Sequence, residues 1–375
     1  MAAGDRGEGP GADGLSLRVV VDDLAAFHSL LSEVETERAV QTVNGWTVVR
    51  WDAQEAAAIF RAERPRTVIE CFACGRPDWY EEILFDDSDE EDRLIIDLEY
   101  LTAETWASDF HRLPSRTRSG RVKKAMFLPG FAPDTGGLIL DAPFMALREA
   151  YRDEGRRAEL RSALLAEIAA QGGRTEAAHP ASLEAFWITV FSYERDYAET
   201  VRDLAAEAER KPLLALAAAG KSARPFLEAW EGAGRPFPVI ELPFLDQETW
   251  DEVLAASDFL IVRGEDSLSR AALSGRPFLW HAYPLEDGHQ LVKVKALLDR
   301  LRPSIDPADF PLLERQWLAF NGAYVQGTGP SDFAEFLRRS EKNRGLARDF
   351  YAWSEKLIKN GDLAISLLTF IRDFR

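Results

Sequence analysis

The sequence predicts an α/β fold made of two halves, each an open, doubly wound sheet. Three observations carry this. Short apolar runs of strand length alternate with helical patterns, the rhythm of βαβ units. The alternation restarts after Pro180, with no residue-level repeat between the halves. One apolar strand also runs straight into Arg263-Gly264-Glu265-Asp266-Ser267 and a helix, a turn typical of parallel sheets.

Residues 1–14 hold five glycines and no periodic pattern. They read as part of a flexible lead over 1–16. A strand follows at 17–21, and Asp23 is placed to cap a helix through Leu24, Phe27 and Leu30. Further strands are expected at 47–50, 67–72, 93–98 and 125–128. One long helical stretch is expected over 143–170. In the second half, strands are expected at 185–191, 212–218, 239–242, 259–262 and 278–281, with helices over 247–256 and 268–273. The tail from 309 onward reads as helical. The expected division is an N-terminal domain at 17–178 and a C-terminal domain at 179–357, with a last helix at 358–375 packing back on the first.

The 375 residues are 46% hydrophobic and 29% charged, enough apolar surface for a sizeable core. Lys plus Arg number 45 and Asp plus Glu 63, a formal charge of −18. That argues against a nucleic-acid binder, which needs a basic footprint. No apolar run approaches ~18 residues, so no transmembrane helix is expected, and no signal peptide is recognisable. The two cysteines, Cys71 and Cys74, read as small residues at a strand end; a lone Cys-Phe-Ala-Cys lacks the second pair of a structural zinc site. Few thiols fit the cytosol. The acidic run 86–92 and the basic run 112–124 both read as solvated loops.

Candidate chemistry sits in the second half. Gly264 permits a tight turn, and the amides after it open a helix, where unpaired N–H groups attract phosphate. Ser267 adds a hydroxyl donor. The competing reading is an ordinary strand–turn–helix in which Asp266 or Ser267 only caps the helix. No Walker lysine is present. Phe191-Ser192-Tyr193 ends a strand with two aromatic side chains able to stack on a base. His281 ends another strand and reads as a packing histidine.

Nine stretches in order resemble the EarP family, protein-arginine rhamnosyltransferases of elongation factor P. They are Val21-Asp-Asp-Leu-Ala-Ala-Phe27, Val68-Ile-Glu-Cys-Phe-Ala-Cys74, Leu98-Glu-Tyr-Leu-Thr-Ala-Glu104, Arg112-Leu-Pro-Ser115, Phe127-Leu-Pro-Gly-Phe131 with Thr135-Gly-Gly137, Phe191-Ser-Tyr193, Leu242-Pro-Phe-Leu-Asp-Gln247, Val262-Arg-Gly-Glu-Asp-Ser267 and Gly275-Arg-Pro-Phe-Leu-Trp-His-Ala-Tyr-Pro284. The resemblance implies a GT-B fold of two Rossmann-like domains. It implies an inverting transfer, without cofactor or metal, from dTDP-β-L-rhamnose to an arginine of elongation factor P in the cytoplasm. By the same resemblance Phe191 and Tyr193 hold the base, and Phe244 and Gln247 line the nucleoside site. Arg263, Gly264, Glu265, Asp266 and Ser267 receive ribose and diphosphate, Tyr283 neighbours the diphosphate, and Glu265 is the essential acidic residue.

Similar proteins open with a strand ending in an Asp-Asn-Tyr-Gly-Asp-type loop, whose second Asp acts as base. Here the pattern is joined only at 17–21, and Asp22 and Asp23 match the later Val-Asp-Asp, so no general base is assigned. The expectation is an N-terminal domain without its first strand and helix, with either a gap between the strands at 17–21 and 67–72 or those two strands collapsed together, and upstream in-frame sequence encoding the missing strand and loop. Two further readings stand beside the enzyme. One is a nucleotide-sugar or elongation-factor binding protein without turnover. The other is a GT-B transferase with a glycan acceptor.

Overall fold

The computed structural model describes residues 16–86, 88, 90–175, 180–322, 332–341 and 344–374. Most of the expected lead lies outside these. The chain forms two compact units. The first takes the described residues up to Glu99, Arg112–Met126 and Phe374; the second takes Tyr100–His111 and Phe127–Asp373.

The first unit contains β1 (Arg18–Val21), β2 (Val40–Val43), β3 (Trp46–Arg50), β4 (Thr67–Cys71), β5 (Arg93–Leu98), β6 (Pro114–Ser115) and β7 (Val122–Phe127), whose last residue passes into the second unit. Asp23 caps the helix Leu24–Leu30 as expected, its carboxylate accepting from the amides of Ala25 and Ala26 at 2.9 and 3.0 Å. β2 was not expected. It pairs antiparallel with β3 through Asn44-Gly45, both at positive φ (51° and 80°), the conformation of a tight hairpin.

The strands form two sheets, ordered β1-β3-β2 and β4-β5-β7-β6. β1 and β4 are therefore edge strands of separate sheets among the described residues. Both sheets nevertheless share one core. Val20 of β1 and Val68 of β4 pack on the same cluster of Val49, Phe60, Trp79, Tyr80 and Ile83. The basic run is not a solvated loop. Its ends lie in β6 and β7, Lys124 sits 3.3 Å from Glu70 and 2.9 Å from Asp97, and the Arg118 guanidinium lies 4.3 Å from the Phe85 ring centre.

The second unit is built on a parallel sheet of β8 (Phe186–Val190), β9 (Leu213–Ala217), β10 (Val239–Glu241), β11 (Phe259–Arg263) and β12 (Phe278–His281), ordered β10-β9-β8-β11-β12. Almost every residue of these strands is buried, as in a parallel sheet covered on both faces. The register sets Val190 beside Ile261 and Val262 beside Trp280, which brings the carboxyl ends of β8, β11 and β12 together.

The expected long helix is broken. Ala142–Ala150 and Glu154–Ala170 are separate helices, and Asp153 caps the second by accepting from the Gly155 amide. Both pack on the core of the second sheet, through Phe144, Leu164 and Ile168. Arg161 fixes the longer one: its guanidinium stacks 4.3 Å from the Trp187 ring centre, donates to the carbonyls of Ala185 and Ala256, and pairs with Asp258 at 2.8 Å. For this reason the second unit begins well before the expected 178/179 boundary.

The expected 358–375 helix is realised as one helix, Leu363–Phe374, starting five residues later. The helix Gly345–Lys359 ends at Asn360-Gly361, and Leu363–Phe374 begins anew. Gly137 makes room for that corner. A Cβ there would lie 2.5 Å from the Gly361 carbonyl oxygen.

Candidate functional site

The site is assembled at the carboxyl end of the second sheet, from strand ends that sequence separates widely. A buried polar knot sets the end of β8. The Ser192 amide donates to Ser222 Oγ at 3.0 Å, and Ser192 Oγ bonds the Tyr197 hydroxyl and the Tyr193 carbonyl. This places Phe191 and Tyr193 against the last residue of β11. The Arg263 guanidinium lies 4.4 Å from the Phe191 ring centre and 5.0 Å from that of Tyr193. Tyr193 also meets Tyr283 and His281 edge-on, at 5.3 and 5.5 Å. The Arg263 Nε is buried with no hydrogen-bond partner among the described residues.

His281 is a packing residue here. Burial and the nearby Arg195 push its imidazole down to about 4, so it is neutral at pH 7. It rests between Tyr193 and Phe320.

After Arg263 the chain turns at Gly264, whose φ of 70° suits glycine. The helix Asp266–Ser274 follows, with Glu265 at its cap position and no side-chain cap bond. Ser267 is buried, and its Oγ accepts from the Trp250 indole at 3.3 Å, leaving its own hydrogen free to donate. Asp266 is exposed. Trp280 braces the turn by donating to the Gly264 carbonyl at 3.2 Å, and Trp250 meets Phe191 edge-on at 5.0 Å.

The Glu265 carboxylate is half-buried and accepts from the Leu101 amide at 2.9 Å. Burial pushes its carboxyl up, while the Leu101 N–H and Lys293 favour the charged form. Arg300 holds the same segment through the Ala103 carbonyl at 2.9 Å.

The structure therefore brings Phe191, Tyr193, Arg263 and Tyr283 into one group, with Gly264 to Ser267 continuing from it. Gln247 opens the helix Gln247–Ala256, exposed, with its amide nitrogen donating to Asp251 at 2.9 Å. Phe244 stands apart, 87% exposed in the preceding connection. Trp250, Trp280 and the Leu101 segment hold the turn, and sequence reasoning gave them no role. Trp280 and Leu101 carried a signal, lying in the stretches Gly275–Pro284 and Leu98–Glu104; Trp250 lies in none. A cavity of about 690 Å³ adjoins the group, with Gly220, Trp230 and Glu241 in its wall; a Cβ on Gly220 would lie 3.7 Å from Arg263 and 3.8 Å from Phe191.

Cys71 and Cys74 are free thiols. Among the described residues no three His, Cys, Asp or Glu side chains converge as a metal site, and no helix is long and apolar enough to cross a membrane.

Comparison with known proteins places this geometry in context. The family model described as "Elongation-Factor P (EF-P) rhamnosyltransferase EarP" matches residues 11–372. A "Protein-arginine rhamnosyltransferase" of Pseudomonas putida is 31% identical over 371 residues, covering 96% of this chain and 91% of the relative. The protein of the same name from Shewanella oneidensis is 30% identical over 374 residues, covering 94% and 88%. A solved structure described as "Structural basis for EarP-mediated arginine glycosylation of translation elongation factor EF-P" is 26% identical. It aligns with a TM-score of 0.51 over 65% of this chain and 75% of that one. The α/β architecture with parallel sheets is accordingly of the GT-B class.

Proposed function

The chain belongs to the EarP family of protein-arginine rhamnosyltransferases, which are glycosyltransferases, and we propose that it moves L-rhamnose from dTDP-β-L-rhamnose to an arginine side chain of elongation factor P in the cytoplasm. One observation carries the donor reading: Phe191, Tyr193 and Arg263 meet at the carboxyl end of a parallel sheet, beside a glycine turn that opens a helix. Two aromatic rings offer stacking for a base. The Arg263 cation and the amides after Gly264 offer charge and donors to a diphosphate leaving group.

In this reading Phe191 and Tyr193 take the thymine, with Phe244 and Gln247 along the nucleoside. Arg263, Gly264, Asp266, Ser267 and Tyr283 serve ribose and diphosphate, and Glu265 is the acidic residue turnover needs. The reaction uses no metal and no cofactor. The acceptor guanidine is cationic, with a pKa of ~12.5 or more, so a carboxylate must hold it and disrupt its delocalisation. No residue of this chain is assigned that role.

Release of dTDP from dTDP-rhamnose tests the proposal. It should require both the protein and elongation factor P, and proceed in chelator. Donor binding without release would make the chain a binding protein. Release supported by a glycan and not by elongation factor P would move the acceptor.

A further inference from the structure

The helix Gln247–Ala256 points one face at the site. Trp250, one turn beyond Gln247, touches both Phe191 and Ser267, so Gln247 stands above it at the same end. Asp251 lies behind, 4% exposed. One of its oxygens accepts from Gln247 Nε2 at 2.9 Å, and the other faces Arg270 Nη2 at 3.2 Å. Arg270 is itself buried and pairs with Asp141 at 2.9 Å. A carboxylate can only accept, so the Gln247 side chain must turn its nitrogen toward Asp251. Its carbonyl oxygen is then turned away from Asp251 and is the acceptor the side chain offers a ligand, beside the second N–H of the amide.

We propose that Asp251 is a positioning residue: it locks the Gln247 amide with its carbonyl oxygen as acceptor, and the site thereby selects a base carrying an imide N–H, thymine or uracil, over cytosine. This rests on the donor reading above. Thymine N3–H donates to that oxygen. Cytosine N3 is a lone pair and meets it with repulsion. A free glutamine would flip to suit either base; a glutamine bonded to Asp251 cannot.

The lock responds to pH. Burial pushes the Asp251 carboxyl up to about 6; Arg270 and Gln247 favour its charged form, and Asp266 and Asp141 oppose it. Both neighbours of Asp251 donate. A proton on the carboxyl goes to the oxygen facing neutral Gln247 and leaves the other to Arg270. The Gln247 amide then flips to accept it, and its freed nitrogen faces the ligand.

The test is calorimetric titration of the full chain with thymidine diphosphate and cytidine diphosphate, at pH 7.5 and 5.5. The ratio of the two affinities cancels diphosphate protonation, which both share. Wild type should prefer thymidine diphosphate at pH 7.5, with a ratio that falls at pH 5.5. D251A should lose about three- to tenfold of that ratio, the scale of one hydrogen bond. D251N still offers an acceptor but does not titrate, so its ratio should not change with pH. An unchanged ratio in D251A, or a wild-type ratio flat across pH, overturns the inference and leaves the donor reading standing. Failure of wild type to bind either nucleotide overturns the donor reading and the inference with it. If D251A does not fold because Arg270 loses its partner, the wild-type pH series decides alone.

Discussion

Arg263 stacks on Phe191, with its guanidinium carbon 4.4 Å from the ring centre, although 71 positions separate the two residues in the chain. They meet because β8 and β11 are neighbours in register, Val190 beside Ile261. The contact holds a flat cation in place at the mouth of the site, and the first prediction tests it.

Arg263→Ala should weaken thymidine diphosphate binding by about 1–3 kcal/mol, the range of a charge-assisted bond with a cation–π contribution. Arg263→Lys should recover only part, since an ammonium lacks the planar stacking surface. Calorimetry of the three proteins checks this. Equal affinity in all three would remove Arg263 from the donor site.

Ser267→Ala should cost about 1 kcal/mol of nucleotide affinity, the scale of one hydrogen bond. Tyr193→Ala should cost more, because it removes an aromatic face as well as its edge contacts with Tyr283 and His281. The reverse ranking would place the base elsewhere.

Glu265→Gln should lower kcat far more than it lowers the melting temperature. The residue lies in a turn and its carboxylate accepts from the Leu101 amide. Because burial pushes its carboxyl up, activity that needs the carboxylate should rise as pH climbs through that raised value and flatten above it. A variant with normal rate would leave Glu265 as a helix-start acid favoured only by the dipole.

Asp258 offers a stability test remote from the site. Burial alone would raise its carboxyl; Arg161, Arg157 and Arg276 outweigh that and hold it well below the ordinary carboxylate range. A depressed folded-state value stabilises above the unfolded value of about 3.9, and the contribution fades as pH falls toward the folded value. Denaturant melts should therefore show a loss of stability on acidification below about pH 4. Asp258→Asn should remove that dependence and cost about 3–5 kcal/mol at neutral pH by stripping buried guanidiniums of their partner.

Hydrogen exchange should separate the sheets. β1 and β4 each have an unpaired edge among the described residues, whereas β8 and β11 are paired on both sides. Amides of β1 and β4 should exchange faster than those of β8 and β11. Equal protection would mean that the edges of β1 and β4 are covered.

The second sheet was legible because its strands are continuous apolar runs bounded by turn residues, and all five were anticipated within two residues at either end. The Asp23 cap was legible for a local reason: an acceptor sits just before a helical period. Other features were harder. β2 was missed although Asn44-Gly45 is a strong hairpin signal, since Val40-Gln41-Thr42-Val43 is short and weakly alternating. The break at Tyr151-Arg152-Asp153 was missed because the helical periodicity runs through it; Asp153, an ordinary capping residue, was the available signal. The basic run looked solvated because its partners Glu70, Asp97 and Phe85 are distant in sequence. In the site, the aromatic pair and the glycine turn could be read locally. The stacking of Arg263 on that pair, and the bracing by Trp250 and Trp280, depend on strand order and helix packing and have no local signature.

Transfer to protein measures the central claim most directly. The purified chain, dTDP-rhamnose and elongation factor P are incubated in chelator, and fragment mass spectra locate the product. The account predicts one added deoxyhexose on an arginine side chain of elongation factor P, made by wild type and strongly reduced with Arg263→Ala. An unmodified elongation factor P despite bound donor, or equal product from Arg263→Ala, would contradict it.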